Sequence, residues 1–225
     1  MNRNFELQVT INAAMTVDGK IATTLGDSKI SSINDLRRVH KLRSAVDAII
    51  VGISTVLMDN PRLSVRLHKN KGENPVRVII DSTARIPLNS KLLKSARKIK
   101  TIIAVTKRAS NYKIRKIGNA GALVVIAGTE TVDLGKVFLF LKMIGIKKIL
   151  VEGGGELNWS LLSLGIVDEL IVTIAPRIVG GRMAATLVEG DGYTKISEGI
   201  KMKLKNVLRQ NDDELVLYYK ISPME

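Results

Sequence analysis

The chain has 225 residues with a formal net charge of +14 at pH 7, and it contains no cysteine. That absence excludes disulfides, cysteine-ligated metals and thiol catalysis. With two histidines, a histidine-rich metal site is not expected, and no metal is predicted. No apolar run approaches the length of a membrane span, which predicts a cytoplasmic protein with no membrane partner. The length allows one domain or two.

The strong positive charge has two interpretations. Basic stretches such as residues 91–100 could bind nucleic acid, or they could form a solvated surface on a protein whose ligands are phosphorylated. Aromatic residues make up only 4% of the chain, so stacking platforms for single strands are nearly absent. No nucleic-acid motif is present, and we therefore predict no nucleic-acid partner.

The N-terminal part predicts a strand, a turn and a helix. Apolar and polar residues alternate from Phe5 to Ala13, which is typical of a strand, and Asp18-Gly19 marks a turn after it. Capping residues at 31–35 precede a predicted helix. That helix places three apolar side chains on one face, namely Leu36, Val39 and Val46. Arg43 lies at the border of this face, where it is either an anion contact or an arginine covering apolar neighbours.

The rest of the chain alternates strands with helices and then changes character. Strands are predicted at 47–52, 75–82, 101–105, 123–127 and 146–151, and helical segments at 53–57, 109–117, 132–144 and 156–163. This alternation predicts a mostly parallel sheet with helices on both faces. Three further strands follow without helices between them, at 169–176, 201–208 and 214–221. The last two are predicted to form an antiparallel hairpin across the loop 211–213, which gives one α/β domain over residues 1–225 with a mixed sheet.

A run of glycines separates the strand that ends at Val151 from the helix that begins at Glu156. A bare turn of this kind, Gly153 to Gly155, leaves N–H groups at a helix N-terminus that suit a phosphate or pyrophosphate. Glu152 would repel a phosphate and is better suited to hydroxyls or an amine of a second ligand. Steric need alone explains the glycines equally well. The run is not the G-x-G-x-x-G fingerprint, so an ordinary dinucleotide fold is not predicted.

Polar residues and glycines follow several of the predicted strands. They are Asp18, Lys20, Gly52, Thr55, Asp59, Asp81, Ser82, Glu152 and Gly153 to Gly155. The carboxyl ends of parallel strands meet at one edge of a sheet, and ligands of open α/β sheets bind at that edge. Each residue has a structural explanation of its own, such as capping a turn, but their convergence predicts a ligand site.

Five segments, taken in order, resemble the reductases of riboflavin biosynthesis. They are residues 15–22, 51–66, 79–82, 151–155 and 175–181, and the run from Val51 to Arg66 is a specific signature. The resemblance covers nearly the whole chain and implies a dihydrofolate reductase-like fold and a homodimer. Bifunctional members carry a zinc deaminase domain with His and Cys ligands, which this chain cannot supply. The chain therefore resembles the stand-alone reductases of archaea and fungi.

The resemblance also implies an activity and a set of site residues. The activity is reduction of 2,5-diamino-6-ribosylamino-4(3H)-pyrimidinone 5′-phosphate to its ribitylamino form, with NADPH as the donor. The implied cofactor contacts are Thr55, Asp59, Ser82, Gly153, Gly154, Gly155 and Glu156. The implied substrate contacts are Ser28, Arg43, Leu63, Arg66 and Glu152.

The chemistry of these residues agrees with such a substrate. Arg43 and Arg66 can hold a phosphate through charge-assisted hydrogen bonds. The ribose must open to an imine before C1′ accepts hydride, and this step moves protons. We expect Lys20 and Glu152 to flank the ribose as the catalytic pair.

Three points stay open at this stage. NADPH is expected with NADH tolerated, since Arg85 or Lys107-Arg108 could hold a 2′-phosphate or could be surface charge. Another pteridine or pyrimidine reductase on the same fold would share most of these features. A basic nucleic-acid-binding protein without catalysis is the alternative from a different class, and it would lose affinity steeply with salt.

Overall fold

The structure is a computed structural model that describes residues 7–66, 73–210 and 213–223. The chain divides into two compact units, one built from residues 41–150 and the other from residues 8–40 and 151–225. The prediction of a single domain over 1–225 is not tested by this division and stays a prediction. No helix in the described ranges has both the length and the apolar character that crossing a membrane requires.

Regular elements follow one another much as the sequence predicts. The strands are β1 (Gln8–Thr16), β2 (Ala48–Gly52), β3 (Val76–Ile80), β4 (Thr101–Val105), β5 (Leu123–Ile126), β6 (Lys148–Val151), β7 (Glu169–Ala175), β8 (Met202–Arg209) and β9 (Leu215–Ile221). The helices are α1 (Ile33–Arg43), α2 (Ile53–Asp59), α3 (Lys91–Lys94), α4 (Asn111–Asn119), α5 (Leu134–Met143) and α6 (Gly155–Ser163). The prediction missed α3, a single turn inside the basic stretch.

The unit of residues 41–150 contains a parallel sheet. Its strands lie in the order β5-β4-β3-β2-β6, and β2, β3, β4 and β5 pair in parallel. Ala48 to Val51 are all 0% exposed, because a parallel strand is covered on both faces and reads as a continuous apolar run. The parallel register places the ends of β2 and β3, Gly52 and Ile80, side by side. Residues that follow these two strands therefore start from one edge of the sheet.

In the unit of residues 8–40 and 151–225 the sheet is mixed. Here β1 pairs with β7 in parallel, while β7 pairs with β9 and β9 with β8 in antiparallel fashion. The predicted C-terminal hairpin is confirmed, although residues 211–212 of its loop lie outside the described residues. β8 is an edge strand because it lies at the end of the strand order, and every one of its residues is exposed.

Two predicted details of the N-terminal part need correction. The first strand continues to Thr16 instead of ending at Ala13, and Phe5 lies outside the described residues. The predicted apolar face of α1 is wrong, because Leu36 is 43% exposed. Val46 is not on this helix, which ends at Arg43. The residues that α1 buries are Asp35 and His40.

A polar cluster replaces that apolar face. Asp35 is fully buried and its Oδ1 accepts hydrogen bonds from Arg38 Nε and Thr173 Oγ1, each at 2.8 Å. The predicted capping of α1 is confirmed, since Ser32 Oγ accepts from the Asp35 N–H at 3.1 Å. Glu214 in turn accepts from the Ser32 N–H at 2.7 Å. Paired charges and hydrogen bonds, in place of leucines, fix α1 on this part of the sheet.

Candidate active site

The glycine turn has the backbone geometry of an anion site. Gly153 and Gly154 have φ values of +93° and +86°, which side-chain-bearing residues rarely adopt. Helix α6 starts at Gly155, and its N-cap Gly154 makes no side-chain capping bond. The N-cap glycine therefore offers no side-chain acceptor to the N–H groups of the first turn of α6, and the helix dipole adds positive charge there. Glu156 is exposed on the same turn.

Gly155 is glycine because another segment packs directly on it. A Cβ atom at this position would lie 2.6 Å from both the Glu189 Cγ and the Thr186 carbonyl oxygen. The Glu189 N–H also donates to the Gly155 carbonyl at 3.1 Å. About one turn further along the helix, Asn158 Nδ2 donates to the Leu187 carbonyl at 2.8 Å. The loop around residues 186–189 therefore covers the start of α6.

Lys20 closes the turn that follows β1. Gly19 has a φ of +79°, and the Thr16 N–H donates to the Lys20 carbonyl at 2.9 Å. The half-buried Lys20 side chain donates from Nζ to the Ala184 carbonyl at 3.3 Å. Glu152 comes directly after β6 and is half-buried as well. The structure therefore gives both predicted catalytic residues partly shielded positions in the same unit.

Ser28 lies in the irregular segment between this turn and α1. Its side chain is half-buried, and the neighbouring Asp27 and Lys29 form a local turn in which Asp27 Oδ1 accepts from the Lys29 N–H at 3.2 Å. The predicted substrate contact of Ser28 stays a prediction.

Three arginines gather at the loop that follows α2. Arg43, the last residue of α1, donates from Nη1 to the Ser64 carbonyl at 3.4 Å. Burial lowers the pKa of Arg66, and the charges of Arg62 and Arg43 lower it further. Cations that raise one another's energy in this way are stabilised when an anion binds between them. The sequence did not single out Arg62, because it has the pattern of an ordinary surface residue.

Leu63 fixes the shape of this loop. It is only 2% exposed and has a φ of +46°, an uncommon conformation for a residue with a side chain. Its buried side chain holds the backbone between Arg62 and Ser64 against the core of the unit. The loop that carries the arginines is therefore anchored from inside.

The remaining predicted cofactor residues follow β2 and β3. Thr55 is half-buried in the first turn of α2, and Asp59 is the exposed last residue of that helix. Ser82 comes two residues after β3, and its carbonyl accepts from the Thr106 N–H at 3.0 Å and from the Thr106 hydroxyl at 2.8 Å. The structure thus places Thr55 and Ser82 after neighbouring parallel strands, as predicted.

Solved structures identify the fold. Acinetobacter baumannii RibD superposes with a TM-score of 0.82 at 25% identity, covering 96% of this chain and 58% of that one. Dihydrofolate reductase from Enterococcus faecalis has a TM-score of 0.56 at 12% identity, covering 96% and 98%. The second likeness shows the fold alone. The fold is a dihydrofolate reductase-like mixed sheet, mostly parallel, as predicted.

Sequence comparison then gives the family. The pattern described as the RibD C-terminal domain matches residues 8–216. A relative from Methanothermobacter thermautotrophicus, named 2,5-diamino-6-ribosylamino-4(3H)-pyrimidinone 5′-phosphate reductase, is 47% identical over 211 residues, which cover 93% of this chain and 96% of the relative. The chain belongs to the RibD C-terminal domain family. Reductase relatives and a dihydrofolate reductase-like fold together indicate a nicotinamide cofactor.

Proposed function

We propose that this protein reduces the ribosyl group of 2,5-diamino-6-ribosylamino-4(3H)-pyrimidinone 5′-phosphate to the ribitylamino product, with NADPH as the donor. The observation that carries the proposal is the 47% identity to a reductase of that name over nearly the full length of both chains. The three arginines around residues 62–66 support it, because the substrate carries a phosphate.

Arg43 and Arg66 hold the substrate phosphate, and Arg62 adds a third positive charge beside them. Guanidinium groups bind phosphate oxygens through two parallel hydrogen bonds, which fixes the orientation as well as the position of the ligand. Leu63 and Ser28 remain proposed substrate contacts, and the buried side chain of Leu63 also anchors the loop that carries Arg62 and Arg66. This assignment predicts that the phosphate contributes to binding more than to the chemical step.

Lys20 and Glu152 donate and accept the protons that ring opening requires. Opening the ribosylamine moves a proton onto the ring oxygen and removes one from the nitrogen side, which a paired ammonium and carboxylate can do. The contact of Lys20 Nζ with the Ala184 carbonyl holds the ammonium in a fixed direction. NADPH, when bound, would supply the hydride to C1′, and the protonated Glu152 carboxyl then returns a proton to the nitrogen, which completes the reduction. Glu156 and the three glycines before it, with Thr55, Asp59 and Ser82, are the proposed cofactor contacts.

The preference for NADPH rests on cations that could meet a 2′-phosphate. Arg85 Nε lies 3.9 Å from Asp81 Oδ1, and Arg108 Nη1 lies 3.2 Å from Glu130 Oε2. Both pairs are solvent-accessible on the arginine side and weak enough for a phosphate to compete with them. Lys107 is exposed beside Arg108. We propose NADPH with NADH tolerated.

We propose a homodimer that uses the edge strand β8. All eight of its residues are exposed, and four of them are apolar. These are Met202, Leu204, Val207 and Leu208, which are 44–49% exposed. An edge strand with apolar side chains on its surface is a template for pairing with a second copy. Light scattering of the purified protein measures the oligomeric state directly.

One assay tests the activity and separates it from the alternatives. The loss of reduced-nicotinamide absorbance is followed with the freshly made pyrimidinone phosphate and, in parallel, with dihydrofolate. Turnover of the first substrate alone supports the proposal, while turnover of dihydrofolate alone favours another reductase on the same fold. NADPH binding with no turnover of either substrate contradicts the substrate assignment. Salt-sensitive binding to nucleic acid without NADPH binding supports the non-catalytic alternative.

Variants test the catalytic pair. Lys20→Ala is expected to lower kcat by roughly 100-fold or more, as loss of general acid–base catalysis does. Glu152→Gln is expected to lower kcat as well, whereas the exposed Lys98→Ala serves as a control that leaves it unchanged. An unchanged kcat in both Lys20→Ala and Glu152→Gln contradicts the assignment of the pair.

A further inference from the structure

The turn that carries Lys20 is held by the loop that follows β7. Asp18 Oδ2 accepts from the Gly180 N–H at 2.7 Å, and Asp18 Oδ1 accepts from the Val179 N–H at 3.2 Å. Beside them the Val17 N–H donates to the Arg177 carbonyl at 2.9 Å. The carboxylate of Asp18 therefore fastens the start of this loop to the turn.

The next part of the same loop contacts the Lys20 side of the turn. Lys20 forms an antiparallel bridge with Thr186, and its Nζ donates to the Ala184 carbonyl at 3.3 Å. The Ile21 N–H donates to the Ala185 carbonyl at 2.9 Å. The direction of the Lys20 ammonium thus depends on where this loop lies.

The end of the loop packs on helix α6. It makes the two contacts with the start of α6 described above, from Glu189 to Gly155 and from Asn158 to Leu187. In addition, Gly190 packs so closely on the ring of Trp159 that a Cβ atom there would overlap it. The residues 177–190, which we call the clasp loop, therefore connect the Lys20 turn with the glycine turn inside one unit.

Asp18 is the part of this arrangement that a small change can release. Its carboxylate also accepts from the Thr16 hydroxyl at 2.6 Å, so all of its known contacts are donors to a carboxylate. An asparagine in its place turns one acceptor oxygen into an N–H₂ group that faces these donors. Because Asp18 is exposed, the change leaves the hydrophobic core untouched.

We propose that Asp18 is a positioning residue for the reaction, which acts by holding the clasp loop so that the Lys20 ammonium points at the substrate. This inference rests on the proposed function, in which Lys20 moves a proton. Asp18 itself touches neither substrate nor cofactor in this scheme. A group that acts only through Lys20 has no effect on catalysis once the Lys20 amine is gone.

A double-mutant cycle tests this dependence. We expect Asp18→Asn to lower kcat on the order of 10-fold through misplacement of Lys20, with a smaller change in the substrate KM. In the Lys20→Ala background the same substitution is expected to change kcat by less than about twofold, because the two effects share one cause. Equal losses in both backgrounds overturn the proposal.

Asp133→Asn is the matched control. Asp133 is also a carboxylate that accepts a backbone N–H, from Lys136 at 3.0 Å, but it caps α5 in the other unit. We expect this control to lose some stability and to keep its kcat. If Asp133→Asn loses as much kcat as Asp18→Asn, the loss comes from general destabilisation. That outcome overturns the proposal.

Chemical labelling measures how firmly the Lys20 amine is held, and it does not require turnover. The folded protein is treated with trace acetic anhydride, and acetylation at Lys20 is measured by mass spectrometry. Asp18→Asn is expected to raise the labelling rate by about fivefold, the factor that loss of one ordinary hydrogen bond produces. An unchanged rate overturns the proposal. Absence of turnover in the unmodified enzyme, by contrast, counts against the proposed function, while the labelling rate still decides the role of Asp18.

Discussion

The guanidinium of Arg77 donates from Nη1 to the carbonyl oxygen of Arg62 at 3.3 Å. Arg77 is fully buried, and its other donors reach the carbonyls of Leu92 and Ile99 and the hydroxyl of Thr101. These partners are neutral, and burial lowers the pKa of Arg77 to about 10, so it stays charged at neutral pH. The buried Arg77 therefore links the loop that contains Arg62 to the segment that leads into β4.

Arg77→Met is expected to destabilise the protein by about 3 kcal/mol or more, since it keeps the apolar stem but leaves several buried oxygens without a donor. Urea unfolding measures the loss. Arg97→Met is the control, because Arg97 is exposed and donates to the single carbonyl of Asn119. We expect the control to change stability by less than about 0.5 kcal/mol. Similar losses in the two variants would contradict a special role for Arg77.

Arg66→Met is expected to raise the KM of the phosphorylated substrate by about 10- to 100-fold, the loss of one hydrogen bond to a charged group. For the dephosphorylated substrate, the KM of the same variant is expected to equal that of the unmodified enzyme. Arg62→Met is expected to act in the same direction with a smaller change, because Arg62 contributes charge to the cluster. Arg115→Met, on the exposed surface of α4, is the control. Equal changes of KM for the two substrates would contradict the proposal that these arginines bind the phosphate.

Much of the fold could be predicted because local hydrophobic patterns in the sequence mark its strands. The strand Thr101–Val105 was predicted to the residue, since a short run rich in β-branched residues favours a buried strand in an α/β chain. The face of α1 could not be predicted in this way. Asp35 can be buried because Thr173, 138 positions further along the chain, donates a hydrogen bond to its carboxylate. The periodicity of a helix contains no information about such a distant partner.

Candidate site residues could be named from the sequence where they lie at glycine turns and strand ends, but not where their contacts are tertiary. Gly153 and Gly154 stand out in the sequence because few other residues adopt their positive φ. Arg77 gains its role from the backbone carbonyls of distant segments, and Arg62 gains its role from its charge beside Arg66. A backbone carbonyl has no sequence signature of its own, so these two arginines look like ordinary surface residues. Asp18 was named from the sequence, but its contacts with the loop after β7 could not be predicted.

Gly155→Ala is expected to weaken NADPH binding and to destabilise the protein by about 1–3 kcal/mol, since its new methyl group would overlap Glu189 and Thr186. Gly118→Ala is the matched control. Nothing lies within 4 Å of a Cβ atom there, and alanine stabilises a helix relative to glycine by about 0.5–1 kcal/mol. Thermal unfolding and fluorescence titration with NADPH measure both effects. A Gly155→Ala variant that binds NADPH normally would contradict the close packing at the start of α6.

The charge of Asp18 makes the clasp loop sensitive to acid. The Thr16 hydroxyl and then the Gly180 N–H lower the pKa of Asp18 from 3.8 to about 2. A carboxyl whose pKa is lower in the folded state contributes stability above its unfolded value, and this contribution is lost as the pH falls towards the folded value. The difference in unfolding free energy between the unmodified protein and Asp18→Asn is therefore expected to stay constant from neutral pH to about pH 5 and to shrink between about pH 4 and pH 2.

Carboxyl NMR titration checks the cause of this shift. Thr16→Ser keeps the hydroxyl, and in it the pKa of Asp18 is expected to stay well below its usual value. Thr16→Val removes the hydroxyl at nearly constant volume, and the pKa of Asp18 is expected to rise because the largest stabilising contact of the carboxylate is gone. If Asp18 titrates identically in the two variants, the Gly180 and Val179 N–H groups hold the charge without Thr16, and the turn itself contributes nothing to the acid sensitivity of the loop.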